Sequence, residues 1–220
     1  MPESARIDML PWLRDARLIE TLDVIDPIEF KRAEIGAVAV VRAVDPRKLD
    51  RVGVRRLLDA LCRIAAVVPE ADLGTVEPET FATLLAASSR AQLDAVVAAP
   101  PLREVLLAET FRRMAHHVRA ERVRHLRAVA RWRLTGGSGA GGYDRHGCRF
   151  ADGACTVSTD VTGGERPRAT ITVSPVDFLR LTTRQATAAV LFVTGKLTVK
   201  GDLGFAAGLT RYLDLPAPRE

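Results

Sequence analysis

Four histidines and three cysteines are the side chains best suited to metal binding or nucleophilic chemistry. His116 and His117 are adjacent, so on a helix their side chains point about 100° apart and do not share one ion. His125 and His146 have no thiol or carboxylate at the spacing that a zinc site requires. We therefore predict histidines at the surface or at an interface, and we expect no metal and no cofactor.

The cysteines are an odd number without metal-type spacing. Cys148 and Cys155 flank Asp152-Gly153, a residue pair typical of a type I′ hairpin turn. If Ala151 pairs with Ala154, the two thiols become diagonal neighbours on one face, and free thiols are favoured over a disulfide. No cysteine has a base beside it, and the chain has no G-x-S-x-G motif, so no nucleophile is assigned. With no apolar leader segment, these thiols lead us to expect a cytoplasmic protein.

A glycine-rich run at residues 137–142 satisfies the pattern G-x-G-x-x-G and follows a predicted strand. A dinucleotide site also needs a helix directly after the glycines, because the pyrophosphate binds at the helix N-terminus. Here Tyr143 instead leads into another strand-like segment. The run is therefore predicted to be a flexible connector between two strands.

The formal net charge is +5, and arginines crowd the middle of the chain. Eight of them fall within 22 residues: Arg112, Arg113, Arg119, Arg122, Arg124, Arg127, Arg131 and Arg133. The favoured interpretation is a solvated face on which arginine stems cover apolar surface. The next is weak contact with an anionic membrane surface or with the phosphates of a CoA ester. Nucleic acid is the least favoured partner, because no helix-turn-helix or aromatic platform accompanies the charge.

Residues 1–100 are predicted to be a mostly helical region. Apolar residues recur at three- and four-residue steps over Val54–Val68, which predicts an amphipathic helix. Further helices are predicted from Glu77-Pro78 and after Ser88 or Ser89. The apolar, β-branched run Ile35–Val44 is read as a strand. These short helices must pack on one another or on the C-terminal domain to bury their apolar faces.

The period of the apolar pattern changes from helical to strand-like after residue 118. A helix is predicted at about 102–118, strands at 128–134, 143–150, 154–159, 168–174 and 196–200, and helices from Pro175, at 184–193 and from Asp202. The first three strands form a meander. This order indicates an α+β domain with a mixed sheet and helices on one face.

Three strings within these elements resemble the sterol carrier protein type 2 family. They are Ala169–Ser174, Asp177-Phe178-Leu179, and Phe192–Gly204 with its Gly-Lys-Leu-Thr-Val-Lys-Gly-Asp segment. The resemblance covers about residues 101–213, within a predicted domain of residues 101–215, and does not extend to residues 1–100. It implies a five-stranded sheet roofed by helices, enclosing an apolar tunnel for fatty acyl chains, acyl-CoAs or sterols.

The predicted function is noncatalytic binding or transfer of such an apolar ligand. The candidate lining residues are Phe111, Met114, Trp132, Phe178, Leu191, Phe192, Leu197, Leu203, Phe205 and Leu209. Plain core packing is the competing interpretation of each. The alternative function is a regulatory or assembly protein in which the lipid-type domain is an accessory to the N-terminal helices. The sequence assigns neither the ligand nor the oligomeric state.

Overall fold

The computed structural model describes residues 9–159 and 165–214. These residues divide into two compact units, residues 9–109 and residues 110–214. The division falls inside the helix Pro100–His116, whereas the sequence places the domain boundary at its first residue. That helix therefore contributes its first part to the N-terminal unit and its last part to the C-terminal unit.

The N-terminal unit is helical. Its helices are α1 (Asp15–Val24), α2 (Pro27–Arg32), α3 (Ala37–Arg42), α4 (Gly53–Ala65), α5 (Pro78–Ala87), α6 (Arg90–Val97) and the first part of α7 (Pro100–His116), with 3-10 turns at Leu10–Trp12, Pro46–Lys48, Pro69–Ala71 and Leu73–Thr75. Helix α4 packs against α1 and α6 and buries Val54, Leu57, Leu61 and Ile64, as its periodicity predicts. Ser89 begins α6 with a capping box.

The predicted strand at Ile35–Val44 is wrong, because this segment forms helix α3. Its buried residues Ala37, Val40 and Val41 follow a helical spacing. A short apolar run does not distinguish a buried strand from a buried helix, and the choice depends on the partners available. Here the neighbouring elements are helix α5 and the 3-10 turns at residues 69–75. The run therefore packs against helical elements and not against a strand.

The C-terminal unit is built on a five-stranded sheet in the order β3-β2-β1-β4-β5. The strands are β1 (Ala128–Thr135), β2 (Tyr143–Ala151), β3 (Ala154–Ser158), β4 (Ala169–Val173) and β5 (Leu197–Gly201). Strand β1 runs antiparallel to β2 and parallel to β4, and β5 is antiparallel to β4. The helices are the end of α7, α8 (Ala120–Val123), α9 (Pro175–Thr182), α10 (Ala188–Val193) and α11 (Leu203–Tyr212). The predicted mixed sheet with helices is confirmed.

Local geometry in this unit follows the sequence closely, with one exception. Asp152 and Gly153 have φ values of 53° and 83°, the positive values that the hairpin turn requires. Ala151 pairs with Ala154, as predicted, so Cys148 lies opposite Val157. The exception is α10, which begins at Ala188 and not at Arg184, because Arg184 has a φ of 60° that interrupts a helix.

The sheet has two different faces. The covered face carries the apolar side chains of alternate residues, such as Trp132, Ile171 and Phe150, and helices α9 and α11 pack against its strands. The opposite face, here called the open face, carries arginines and hydroxyl residues. Within the described residues, no helix combines the length and apolar character needed to cross a bilayer.

Candidate functional site

An aromatic cluster occupies one end of the covered face. Phe111 from α7 stacks on His146 of β2, with ring centroids 4.1 Å apart, and on Phe178 of α9 at 4.7 Å. Trp132 of β1 meets the Phe178 ring edge-on at 5.2 Å. Trp132 and His146 are cross-strand partners, so the sheet register itself brings these two rings to one rung. Two strands and two helices therefore meet at this cluster.

A second aromatic cluster lies further along the same face. Phe150 of β2 meets Phe205 of α11 edge-on at 6.4 Å, and Tyr212 approaches both rings. Between the two clusters, Ala169, Ala130 and Cys148 form one rung of three small side chains across β4, β1 and β2. A rung of small, buried side chains therefore lies between two clusters of large rings on the covered face.

Helix α11 is held at its first residues by a strand-to-helix junction. Gly201 ends β5 with a φ of 98°. The Asp202 side chain then caps the helix by accepting a hydrogen bond from the Phe205 backbone N–H at 2.8 Å. Arg168 Nε donates to the same carboxylate at 2.9 Å. The Phe205 hydrogen bond and Arg168 together lower the pKa of Asp202, so the cap stays ionised.

The other end of α11 is tied to the segment after α7. Val118 and Leu213 form an isolated β-bridge, and the Arg119 backbone N–H donates to the Tyr212 carbonyl at 2.8 Å. Arg119 also pairs with Asp214 at 2.7 Å. Both ends of the helix are therefore fixed, while its middle presents Phe205 and Leu209 as buried residues.

The prediction that histidines lie at the surface or at an interface is wrong for His146, which packs inside the C-terminal unit. This residue is 6% exposed, and its Nδ1 atom is buried without a hydrogen-bond partner among the described residues. Burial lowers the pKa of His146, partly opposed by the Asp144 carboxylate, so the ring is neutral at pH 7. The alternation of His146 with Cys148 and Phe150 along β2 was the available signal, because it places all three on one face.

The thiols of Cys62 and Cys148 are poorly suited to nucleophilic chemistry, whereas a hydrogen bond with Cys148, partly opposed by burial, lowers the pKa of the Cys155 thiol. A hydrogen bond with Cys155 and burial raise the pKa of the Cys148 thiol well above its ordinary value. Burial, with the carboxylates of Asp59 and Asp72, raises the pKa of Cys62. Both thiols are protonated at neutral pH, and the thiolate is the nucleophilic form. In the described part of the chain, His, Cys, Asp and Glu form no group of three or more that could hold a metal ion.

The predicted lining residues fall into two groups. Eight are buried in the structure: Phe111, Met114, Trp132, Phe178, Leu191, Leu197, Phe205 and Leu209. The other two lie at the surface, since Phe192 is 45% exposed and Leu203 is 53% exposed. Their orientation follows from the short helix α10 and the first turn of α11, where only Leu191 and Phe205 respectively turn inward.

The eight arginines of the central stretch do not share one surface. Arg113 is buried, and Arg119 and Arg127 pair with Asp214 and Asp152. Only Arg131 and Arg133 occupy outward positions of a strand. The arginines that are close together in the sequence are therefore distributed over a helix, a connector and the open face.

The comparisons with known proteins agree with this architecture. The model of the SCP-2 sterol transfer family matches residues 107–214. No curated protein matches the chain at a significant level. Residues 107–214 therefore form an SCP2-like domain, a class of domain that binds or transfers lipids. The match leaves the helices of the N-terminal unit before residue 107 outside the family.

Several solved structures are similar to parts of the chain. Sterol carrier protein 2 from Yarrowia lipolytica, in its apo form, is 21% identical, with 51% of this chain and 93% of that chain covered and a TM-score of 0.38. The sterol carrier protein domain 2 of Helicoverpa armigera is 24% identical, with coverages of 46% and 83% and a TM-score of 0.37. A sec-alkylsulfatase from Pseudomonas sp. is 13% identical, with coverages of 90% and 34% and a TM-score of 0.41.

Proposed function

We propose that the SCP2-like domain holds one apolar molecule with a polar end between helix α11 and the covered face of the sheet, and that it performs no chemistry on it. The observation that carries this proposal is the family match over residues 107–214, which coincides with the sheet and the helices that cover it. The apolar side chains of the covered face also support the proposal.

An apolar chain needs only an apolar surface to bind. Each Å² of hydrocarbon removed from water contributes about 25 cal/mol, so a long acyl chain or a sterol ring system gains enough without directed contacts. The rung of Ala169, Ala130 and Cys148 keeps side-chain volume small between the two aromatic clusters. Helix α11 covers the adjacent strands β4 and β5 with Phe205 and Leu209. A ligand chain would lie along this rung.

His146 would fix the polar end of the ligand. Its Nδ1 atom has no hydrogen-bond partner among the described residues, and leaving such a group unpaired costs about 1–3 kcal/mol. A neutral imidazole has one donor and one acceptor nitrogen, so it suits a hydroxyl, a carboxylic acid or a carbonyl. Ligands of this class include long-chain acids, alcohols and sterols.

A carrier without catalysis fits the side chains on the covered face. The buried thiol of Cys148 is protonated, and His146 has no hydroxyl or carboxylate hydrogen-bonded to Nδ1 in the described residues. A general base requires a partner within hydrogen-bond reach. The free thiols of Cys62, Cys148 and Cys155 also favour a reducing cytoplasm as the place of action.

Titration of the full-length protein with fluorescent lipids tests the proposal. A fluorescent long-chain fatty acid and a chain-matched fluorescent hydrocarbon should both bind. In His146→Phe, which keeps the ring stack on Phe111, the affinity for the fatty acid should fall about fivefold to tenfold, and the affinity for the hydrocarbon should not fall. The exposed residue His125 provides the matched control, His125→Phe. Absence of binding by both probes and by a fluorescent sterol would contradict the proposal.

A further inference from the structure

The open face of the sheet carries cationic and hydroxyl side chains. Its outward strand positions hold the cations Arg131, Arg133, Arg145, Arg149 and Lys200 and the hydroxyl residues Thr135, Tyr143, Thr156, Ser158, Thr170, Thr172 and Thr198. Within the described strands, no outward position holds an acidic residue. The cations lie on β1, β2 and β5, and one of them, Arg149, pairs with Glu165 at 3.0 Å. The strand positions of the face therefore carry net positive charge.

The sheet register brings these charges together. Arg133 lies directly opposite Arg145, a pairing of like charges that weakens a sheet unless an anion compensates it. The Nε atoms of both residues are buried without a hydrogen-bond partner among the described residues. On the next rung Thr170 lies between Arg131 and Lys200. Arginine donors in this arrangement suit phosphate oxygens.

Apolar side chains adjoin the same edge of the sheet. Helix α10 contacts β5, the edge strand that carries Lys200. Three apolar residues of α10 are exposed: Val190 by 58%, Phe192 by 45% and Val193 by 84%. The exposed Lys196 lies three residues after Val193. Apolar side chains beside lysines are the combination that interfacial membrane binding uses.

We propose that the open face and helix α10 together dock on an anionic lipid bilayer. The phosphates of the headgroups would meet the arginines and threonines, and Phe192 and Val193 would enter the interface between headgroups and acyl chains. This proposal involves the open face and helix α10 and not the covered face, so it does not depend on what the covered face binds.

Nucleic acid fits this surface less well. The face is the broad surface of a five-stranded sheet, whereas a duplex groove admits a helix or a two-stranded ribbon. Single strands require aromatic platforms, and the only aromatic side chain at an outward position of the described strands is Tyr143, whose ring lies under the Arg133 guanidinium at 5.7 Å. Exposed Val193 and Phe192 also have no role in binding a phosphodiester backbone.

Sedimentation of the full-length protein with vesicles tests the proposal. Vesicles of phosphatidylcholine with phosphatidylserine should bind the wild type at low salt, and vesicles of phosphatidylcholine alone should bind it far less. The triple variant Arg133→Gln, Arg145→Gln, Lys200→Gln should lose about fivefold in partitioning for each charge removed. Phe192→Ser with Val193→Ser should weaken binding while leaving its salt dependence unchanged.

Two further variants separate the surface from net charge and from misfolding. Arg122→Gln, Arg124→Gln, Arg211→Gln removes three exposed charges outside the open face and should keep full binding. Arg133→Lys with Arg145→Lys keeps the charge and should also bind. Equal loss in the two triple-glutamine variants, no binding of the wild type to anionic vesicles, or tighter binding to a duplex or single-stranded oligonucleotide at the same salt would each overturn the proposal.

Discussion

At the scale of single residues, His146 shows how burial changes the chemistry of a side chain. A histidine on an isolated β-hairpin would be charged for part of the time near neutral pH. Stacking on Phe111 and pairing with Trp132 remove it from water, and desolvation favours the neutral ring. The strand period placed His146 beside Cys148 and Phe150, but only the packing of α7 on β2 determines that the ring is enclosed. Such a non-local contact has no signature in a single sequence.

The lowered pKa of His146 predicts a pH dependence of stability. In the unfolded chain the imidazole binds a proton near its ordinary pKa of 6.5, whereas in the folded protein it does so at lower pH. The contribution of His146 to the free energy of unfolding is therefore complete above pH 6.5 and decreases as the pH falls from there toward the folded pKa. Urea unfolding of the wild type should show this decrease, and His146→Phe should show less of it. The exposed variant His125→Phe should follow the wild type, and a His146→Phe profile parallel to that of the wild type would contradict the assignment.

At the scale of elements, the junction between β5 and α11 sets the position of the covering helix. Gly201 ends β5 with a φ of 98°, a backbone conformation that glycine adopts readily because it has no Cβ. A Cβ at Gly201 would lie 2.5 Å from the Arg168 carbonyl oxygen, so the neighbouring backbone also excludes a side chain. Turns of this kind are local, and for that reason the Asp152-Gly153 hairpin turn was predicted from the sequence.

Gly201→Ala should destabilise the C-terminal unit strongly. The positive φ alone costs about 1–3 kcal/mol in strain, and the backbone clash adds to it. Gly195 is the matched control, because its φ of 70° is also positive while no atom lies within 4 Å of the added Cβ. Gly195→Ala should therefore cost only about 1–2 kcal/mol. Thermal unfolding of both variants measures the difference, and equal costs would show that the clash with Arg168 is relieved without penalty.

The apolar run at residues 35–44 shows where prediction of secondary structure from the sequence failed. Local patterns predicted the register of the β2-β3 hairpin, but they assigned a strand where α3 lies. Val40 and Val41 favour strands by their branched side chains, yet the surrounding helical unit buries them equally well from a helix. Tertiary contacts determine whether such a segment forms a strand or a helix. The sequence alone does not show which elements will make those contacts.

At the scale of the whole molecule, the chain joins a helical unit of unassigned family to an SCP2-like domain. The family resemblance allowed the elements of the second half to be predicted. The matching strings indicate both the order of the elements and the position of the Gly201-Asp202 junction. The first half carries no such string, and the spacing of its apolar residues indicates only that it is mostly helical. The ligand-binding proposal involves residues 110–214 alone. It therefore implies that the N-terminal unit is not needed for ligand binding.

Removal of residues 1–99, which leaves α7 whole, should leave the affinity for a fluorescent fatty acid within about twofold of the full-length value. Circular dichroism and a cooperative thermal transition would verify that the shortened chain is folded. Loss of ligand binding by a folded shortened chain would favour the alternative function, in which the lipid-type domain serves the N-terminal helices in regulation or assembly.

Native mass spectrometry of the full-length protein, purified without detergent, tests the central claim most directly. The account predicts a species heavier than the bare chain by the mass of one lipid, a few hundred daltons, that is released on activation as a molecule with a hydrocarbon body and a polar end. Purified protein that carries no adduct, and that stays at the bare mass after incubation with fatty acids, acyl-CoAs and sterols, would contradict it.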